Sequence, residues 1–255
     1  MLGGSSAVFW LIFGGCKLFG TINEARDLLD DPITMQGWYV GVDPPPGVDL
    51  SGSALNVGAQ AQAWVQRTDT TGINSIDGAE VSLMSDRKGS VALTQDGETW
   101  LATGQDGLDY VEEDEIKLIV DYGGERASIS METPVGAVVD IPETHTGGVS
   151  LRIDIRDQGF DNGGVLVYDL TNMVIPGSGG FSGLVFQSDY DVQKPIDPDN
   201  LVIDVDGVIF ESGRLYAVGV LGMIASEQNH MSGLNDFGSG MASGLAVFHL
   251  VSTLN

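Results

Sequence analysis

Val149-Ser150-Leu151-Arg152-Ile153-Asp154-Ile155 alternates without interruption. Val149, Leu151, Ile153 and Ile155 fall on one side of an extended chain, and Ser150, Arg152 and Asp154 fall on the other. That period of two predicts a half-buried β-strand. Glu80-Val81-Ser82-Leu83 and Ile116-Lys117-Leu118-Ile119-Val120 repeat the pattern, with Val and Leu inward.

Outward from these runs the chain reads as all-β. Gly37–Val42, Ala61–Gln66, Ala79–Met84, Ser90–Thr94, Thr99–Ala102, Glu115–Val120 and Ala127–Glu132 form a first series of seven candidate strands. Val149–Ile155, Gly164–Leu170, Gly183–Gln187, Leu201–Val205, Val208–Phe210, Leu215–Val220 and Leu245–Val251 form a second. Asp77-Gly78, Asp96-Gly97, Asp106-Gly107 and Gly123-Gly124 supply turns between them. Short strands at this density predict an immunoglobulin-like sandwich in each half. One larger sandwich spanning both halves is the alternative. A weak echo links the halves: Tyr110-Val-Glu-Glu-Asp-Glu-Ile116 parallels Phe210-Glu-Ser-Gly-Arg-Leu-Tyr216, an aromatic residue and a turn before an alternating strand.

The 255 residues carry 36 acidic and 11 basic side chains, a net charge of -25. A field of that sign repels a phosphate backbone, so no nucleic-acid partner is expected. It equally disfavours anionic headgroups. One cysteine excludes an internal disulfide framework.

That cysteine, Cys16, ends an apolar run, Ala7-Val-Phe-Trp-Leu-Ile-Phe13, followed by Gly14 and Gly15. Seven apolar residues suit the h-region of a signal peptide and are too few for a membrane-spanning helix, which needs about 20. Phe13-Gly14-Gly15-Cys16 resembles the lipobox of bacterial lipoproteins. It departs from the usual pattern in having Phe at its first position and no Lys or Arg before the h-region. The resemblance implies that the Cys16 thiol is acylated with diacylglycerol, that residues 1–15 are removed, and that the protein is membrane-anchored in the cell envelope. Lys17, where Asp would signal inner-membrane retention, implies the outer membrane. Thr21 and Glu24 have capping-box spacing, and Ile22, Ala25, Leu28 and Leu29 share a helical face. A short helix is therefore expected, ended near Asp30-Asp31-Pro32, as a tether or a lid on the end of a sandwich.

The expected organisation is a signal peptide at 1–15, a lipidated Cys and helical tether at 16–34, and sandwiches at 35–141 and 142–255. Asp77-Gly-Ala-Glu-Val-Ser-Leu through Tyr122 resembles the small immunoglobulin-like modules of surface lipoproteins. Gly213-Arg-Leu-Tyr216-Ala-Val218-Gly-Val220 resembles the F strand of a fibronectin type III domain.

Candidate site residues are few. Asp197, Asp199, Asp204 and Asp206 gather hard oxygen ligands that suit Ca²⁺, though the EF-hand spacing fails. His145, His230 and His249 lack metal-ligand spacing, and no Gly-x-Ser-x-Gly elbow, P-loop or dinucleotide fingerprint is present. Trp38, Trp64 and Trp100 fall in strands, where a sandwich core is their expected place; alternation lets Trp64 face outward with Gln62 and Gln66, as a sugar-stacking surface would. The loops Asp43–Gly58 and Glu227–Ser243 are the expected places for a protein or glycan partner. Taken together, the sequence predicts a non-enzymatic, lipid-anchored binding or scaffold protein without a required cofactor. A calcium-dependent adhesin or carbohydrate-binding surface module is the alternative.

Overall fold

The computed structural model describes residues 33–45, 58–69, 72–156, 159–171, 184–187, 202–226, 230–235 and 238–255. Residues 1–32, with Cys16 and the expected helix, lie outside these. So do Asp197, Asp199 and most of the Asp43–Gly58 loop.

The architecture is all-β. In the first half the strands are β1 (Ile33–Asp43), β2 (Ala59–Asp69), β3 (Gly72–Ser75), β4 (Glu80–Ser85), β5 (Gly89–Asp96), β6 (Thr99–Thr103), β7 (Glu115–Tyr122) and β8 (Glu125–Glu132). One layer is β1-β2-β6, and the other is β5-β4-β7-β8. Met35, Val65 and Trp100 of the first layer meet Leu83, Ile116, Leu118 and Ile129 of the second in a closed core. β5 joins the layers at a corner: Gly89–Leu93 pair with β4, and Thr94–Asp96 pair with β6.

The second half repeats the arrangement with β9 (Val139–Asp140), β10 (Thr144–Thr146), β11 (Leu151–Ile155), β12 (Asn162–Asp169), β13 (Leu184–Gln187), β14 (Val202–Val205), β15 (Leu215–Ala225), β16 (Met231–Ser232) and β17 (Gly240–Leu254). β14-β11-β9 forms one layer, and β13-β12-β15-β17 forms the other. Leu151, Ile153, Val205, Phe210, Tyr216 and Val218 fill the space between.

The two halves share a sheet. β1 pairs with β17 in parallel from Gln36–Gly240 to Asp43–Val247. The first strand of one sandwich is thereby stitched to the last strand of the other. The connecting residues lie against the seam. A Cβ on Gly136 would stand 2.7 Å from Val247 Cγ2, so the connection lies close over β17.

Several sequence expectations change. The polar, Gly-rich composition of Gly240–Ser243 predicts a loop, but these residues belong to β17, because pairing with β1 on one side and β15 on the other overrides composition. The apolar run Val208–Phe210 predicts a strand; Gly207–Ile209 is instead a 3-10 turn capped by Asp206, whose Oδ1 accepts from Val208 N at 3.0 Å. Alternation places Val149 inward with Leu151, but it precedes the strand and is 50% exposed.

The echo between halves becomes a shared device. Thr133 Oγ1 donates to Val111 O at 2.6 Å and accepts from Asp114 N at 2.9 Å. Thr253 Oγ1 donates to Glu211 O at 2.5 Å and accepts from Arg214 N at 2.8 Å. In each half a threonine in or just past the last long strand, β8 or β17, clamps the turn that feeds the strand paired beside it, β7 or β15. The flanking charges are exchanged: Asp114 accepts from Ser85 at the end of β4, whereas Arg214 pairs with Asp169 at the end of β12. Thr133→Val and Thr253→Val each leave an N–H and a carbonyl without their side-chain partner. Each is expected to cost about 2 kcal/mol, read by urea denaturation. A pair of costs below about 0.5 kcal/mol, the noise of neutral substitutions, would show the clamps to be incidental.

The left-handed position of the turn is filled by different residues in the two halves. Glu113 has φ 53°, and Gly213 in the matching turn has φ 75°. A side chain is strained there, whereas glycine is not. Glu113→Gly is expected to stabilise the protein by about 0.5–1 kcal/mol, the strain relieved less the entropy glycine adds to the unfolded chain. Thermal melting that shows a lower Tm would contradict this.

Candidate functional site

An open groove of about 570 Å³ lies along β7 and β8. Alternation builds its floor. Ile116, Leu118 and Ile129 turn into the core, so Glu115, Lys117 and Ser130 turn out. β16 closes one side by pairing Met231 with Ile129 and Ser232 with Ser128. One wall thus comes from the first half of the chain, and the other wall from the segment between β15 and β17 in the second.

Glu113, Glu115 and Glu132 face a single Lys117, with His230 at the rim. The strained turn at Glu113 is held by Arg87, whose guanidinium donates to Glu112 O at 3.2 Å and to Glu113 O at 2.8 Å. Behind it, Asp114 is buried with its Oδ1 3.9 Å from Arg87 Nε. The groove therefore offers carboxylates on a fixed backbone, an arrangement suited to ammonium or guanidinium groups.

The residues singled out from the sequence are dispersed. Asp204 and Asp206 do share a face, because Val205 between them is fully buried. Asp204 stands across from Arg152 in the β11–β14 register, and Asp206 is used as a cap. Among the described residues no group of three or more His, Cys, Asp or Glu side chains gathers at metal-binding distance. His145 Nε2 lies 2.7 Å from Val149 O. His249 sits on β17, and burial holds its imidazole below the usual pKa. Trp38 and Trp100 are 2% and 1% exposed, and Trp64 packs against an apolar cluster with Trp38, so the three do not form an open stacking surface.

Sequence alone does not reveal the groove's glutamates as a site. Glu112-Glu113-Asp114-Glu115 is visible as an acidic run, and His230–Ser232 falls in a loop already marked for recognition. What joins them is the β8–β16 pairing, which leaves no local signal.

Tyr216 anchors the other pole of the molecule. Its hydroxyl accepts from Glu211 N at 2.8 Å, a tyrosine corner of the kind that fastens the start of an F strand in immunoglobulin-like sandwiches. Strand order and corner together define the class: a pair of immunoglobulin- or fibronectin type III-like β-sandwiches. No family model and no curated protein sequence matches the chain. Among solved structures, a two-domain fibronectin type III segment from chicken tenascin is similar over 76% of this chain and 92% of that one, at 14% identity and a TM-score of 0.22. So low a score carries no weight, and the class stands on the strand order and hydrogen bonds given above.

Proposed function

We propose that this chain is a non-enzymatic binding or scaffold protein of the bacterial envelope, anchored through a lipid on Cys16 and recognising a cationic partner in the β7–β8–β16 groove. The observation that carries the binding reading is the groove itself. Its carboxylates stand on paired strands, and its two walls come from halves of the chain that a continuous sheet holds together. The lipobox-like Phe13-Gly14-Gly15-Cys16 supports the anchor, and Lys17 supports the outer membrane.

Two measurements test the two parts. Mass spectrometry of the native N-terminus is expected to find an acylated Cys16 as the first residue; an intact Met1 or a free thiol overturns the anchor. A decalysine peptide is expected to bind at low salt and to bind Glu115→Gln/Glu132→Gln about fivefold to thirtyfold more weakly, from roughly 0.5–1 kcal/mol per exposed charge. Equal binding to both proteins overturns the groove as the recognition surface. This reading requires no cofactor. Calcium held by Asp197, Asp199, Asp204 and Asp206 in an adhesin is the competing proposal, and the absence of both heat and thermal shift on calcium titration removes it.

A further inference from the structure

β8 is paired along its whole length on one side and along only part of it on the other. With β7 the ladder runs from Glu115–Glu132 to Tyr122–Glu125. On the far side, among the described residues, β8 meets only β16, at Ser128–Ser232 and Ile129–Met231. Beyond the end of that ladder, Ser130, Met131 and Glu132 on one side and His230 on the other line the groove. Backbone alternation decides what β8 presents there. Glu113 N donates to Thr133 O at 3.0 Å, and Thr133 N donates to Asp114 O at 2.9 Å. The backbone groups of Thr133 therefore point toward the β7 side. In an antiparallel ladder that direction alternates from one residue to the next. Met131 then points toward β7, and Ser130 and Glu132 turn their N–H groups to the open edge. Ser128 belongs to the same set, and it is the residue that β16 meets. An edge of this kind is a template for a further strand. Pro134, which has no N–H, ends it.

We propose that the cationic partner is an extended peptide segment that adds to β8 as an antiparallel strand in line with β16, with a Lys or Arg beside Glu132. This mode of binding rests on the groove being the recognition surface, and it adds main-chain pairing to charge. Charge selects the occupant. Glu115 stands directly opposite Glu132 in the ladder, and like charges so placed repel each other. Glu113 adds a third carboxylate, and Lys117 is the one Lys or Arg among the residues lining the groove. A basic side chain beside Glu132 relieves the pair. Geometry makes the two contributions coincide. In antiparallel pairing the residue opposite Glu132 turns its N–H toward β8 and places its side chain on the face that Glu132 occupies. The same residues of the partner therefore carry the charge and the main-chain bond. The groove, at about 570 Å³, has the size of a ligand site, which is typically about 300–1,000 Å³. That suits the short stretch that Ser130–Glu132 can pair.

Calorimetry of the full chain at low salt with a capped peptide of alternating Lys and Thr tests it. N-methylation of every Lys keeps the charge and removes the N–H groups that face β8. It is expected to weaken binding about tenfold or more, as the loss of two backbone hydrogen bonds implies. N-methylation of every Thr removes N–H groups that face away and is expected to leave binding unchanged. Equal binding of the two methylated peptides, a larger loss in the Thr series, or no binding of the parent peptide overturns the proposal. Glu115→Gln/Glu132→Gln separates this result from the charge reading beneath it. If that variant binds the parent peptide more weakly while the methylated peptides bind alike, the charged groove stands and the added strand falls. If wild type and variant bind the parent peptide equally, both fall. Ser130→Pro locates the edge, since proline is tolerated where an edge N–H faces outward. It is expected to weaken binding of the parent peptide about fivefold, the loss of one such bond, while Ser130→Ala leaves it unchanged. Unchanged binding by a Ser130→Pro protein that melts like the wild type takes the strand off β8 and overturns the proposal. Should Ser130→Pro fail to fold, the methylated peptides decide alone.

Discussion

Gly41→Val is expected to destabilise the protein by about 3 kcal/mol, at the upper end for overpacking a filled site. For a chain of this size that lowers Tm by about 6–12 °C. Gly41 lies in β1 opposite Leu245 of β17 and Ala59 of β2. A Cβ there would stand 2.7 Å from Leu245 Cδ1 and 2.7 Å from Tyr110 Cβ. Tyr110 is not free to give way. The Tyr110 hydroxyl donates to Pro134 O at 2.9 Å, and its ring lies 5.1 Å from that of Tyr39. Burial raises both phenol pKa values, so these rings stay neutral and hydrogen-bonded at physiological pH. Gly240→Ala is the control. It lies in the same seam, where an added Cβ would meet nothing within 4 Å, and its cost should stay near 0.5 kcal/mol. Calorimetry that finds the two variants alike would mean that the seam is not close-packed at Tyr110.

Phe210→Ala is expected to cost about 4 kcal/mol, the usual loss for emptying a buried aromatic site. Phe210 is fully buried although it belongs to no strand. Its ring meets Tyr216 edge-on at 5.2 Å and His145 at 5.4 Å, and its carbonyl accepts from Gly148 N at 2.7 Å. It plugs the pole of the second sandwich where the 3-10 turn, the tyrosine corner and the β10 strand converge. Phe210→Leu keeps most of the volume and should cost less than about 1.5 kcal/mol. Urea unfolding with an unchanged slope separates a true stability loss from a change in the unfolded chain. A cost below about 1 kcal/mol, far short of cavity formation, would show that this pole does not depend on the ring.

Both predictions fall on residues that are unevenly legible in the sequence. Pattern places Phe210 at the end of a strand, because Val208-Ile209-Phe210 is a short apolar run and such runs do not distinguish a strand from a buried turn. Asp206-Gly207 decides the matter through a local cap. Gly41 carries no signal, since a glycine within a strand is explained only by what lies over it, and here that is a tyrosine from a turn far along the chain. The groove shows the same division. Its outward glutamates follow from alternation in β7 and β8, but the wall opposite them comes from β16, a hundred residues away.

The sequence by itself determined the class of fold, because period-two alternation and Asp-Gly or Gly-Gly turns act within a few residues of one another. It also carried a weak echo between the halves, an aromatic residue and a turn before an alternating strand at Tyr110 and at Phe210, to which the structure adds the matching threonine hydrogen bonds. Tertiary structure alone decided that the halves share one sheet. The parallel pairing of Gln36–Asp43 with Gly240–Val247 is made of backbone bonds between segments two hundred residues apart, and backbone bonds leave no mark on side-chain pattern.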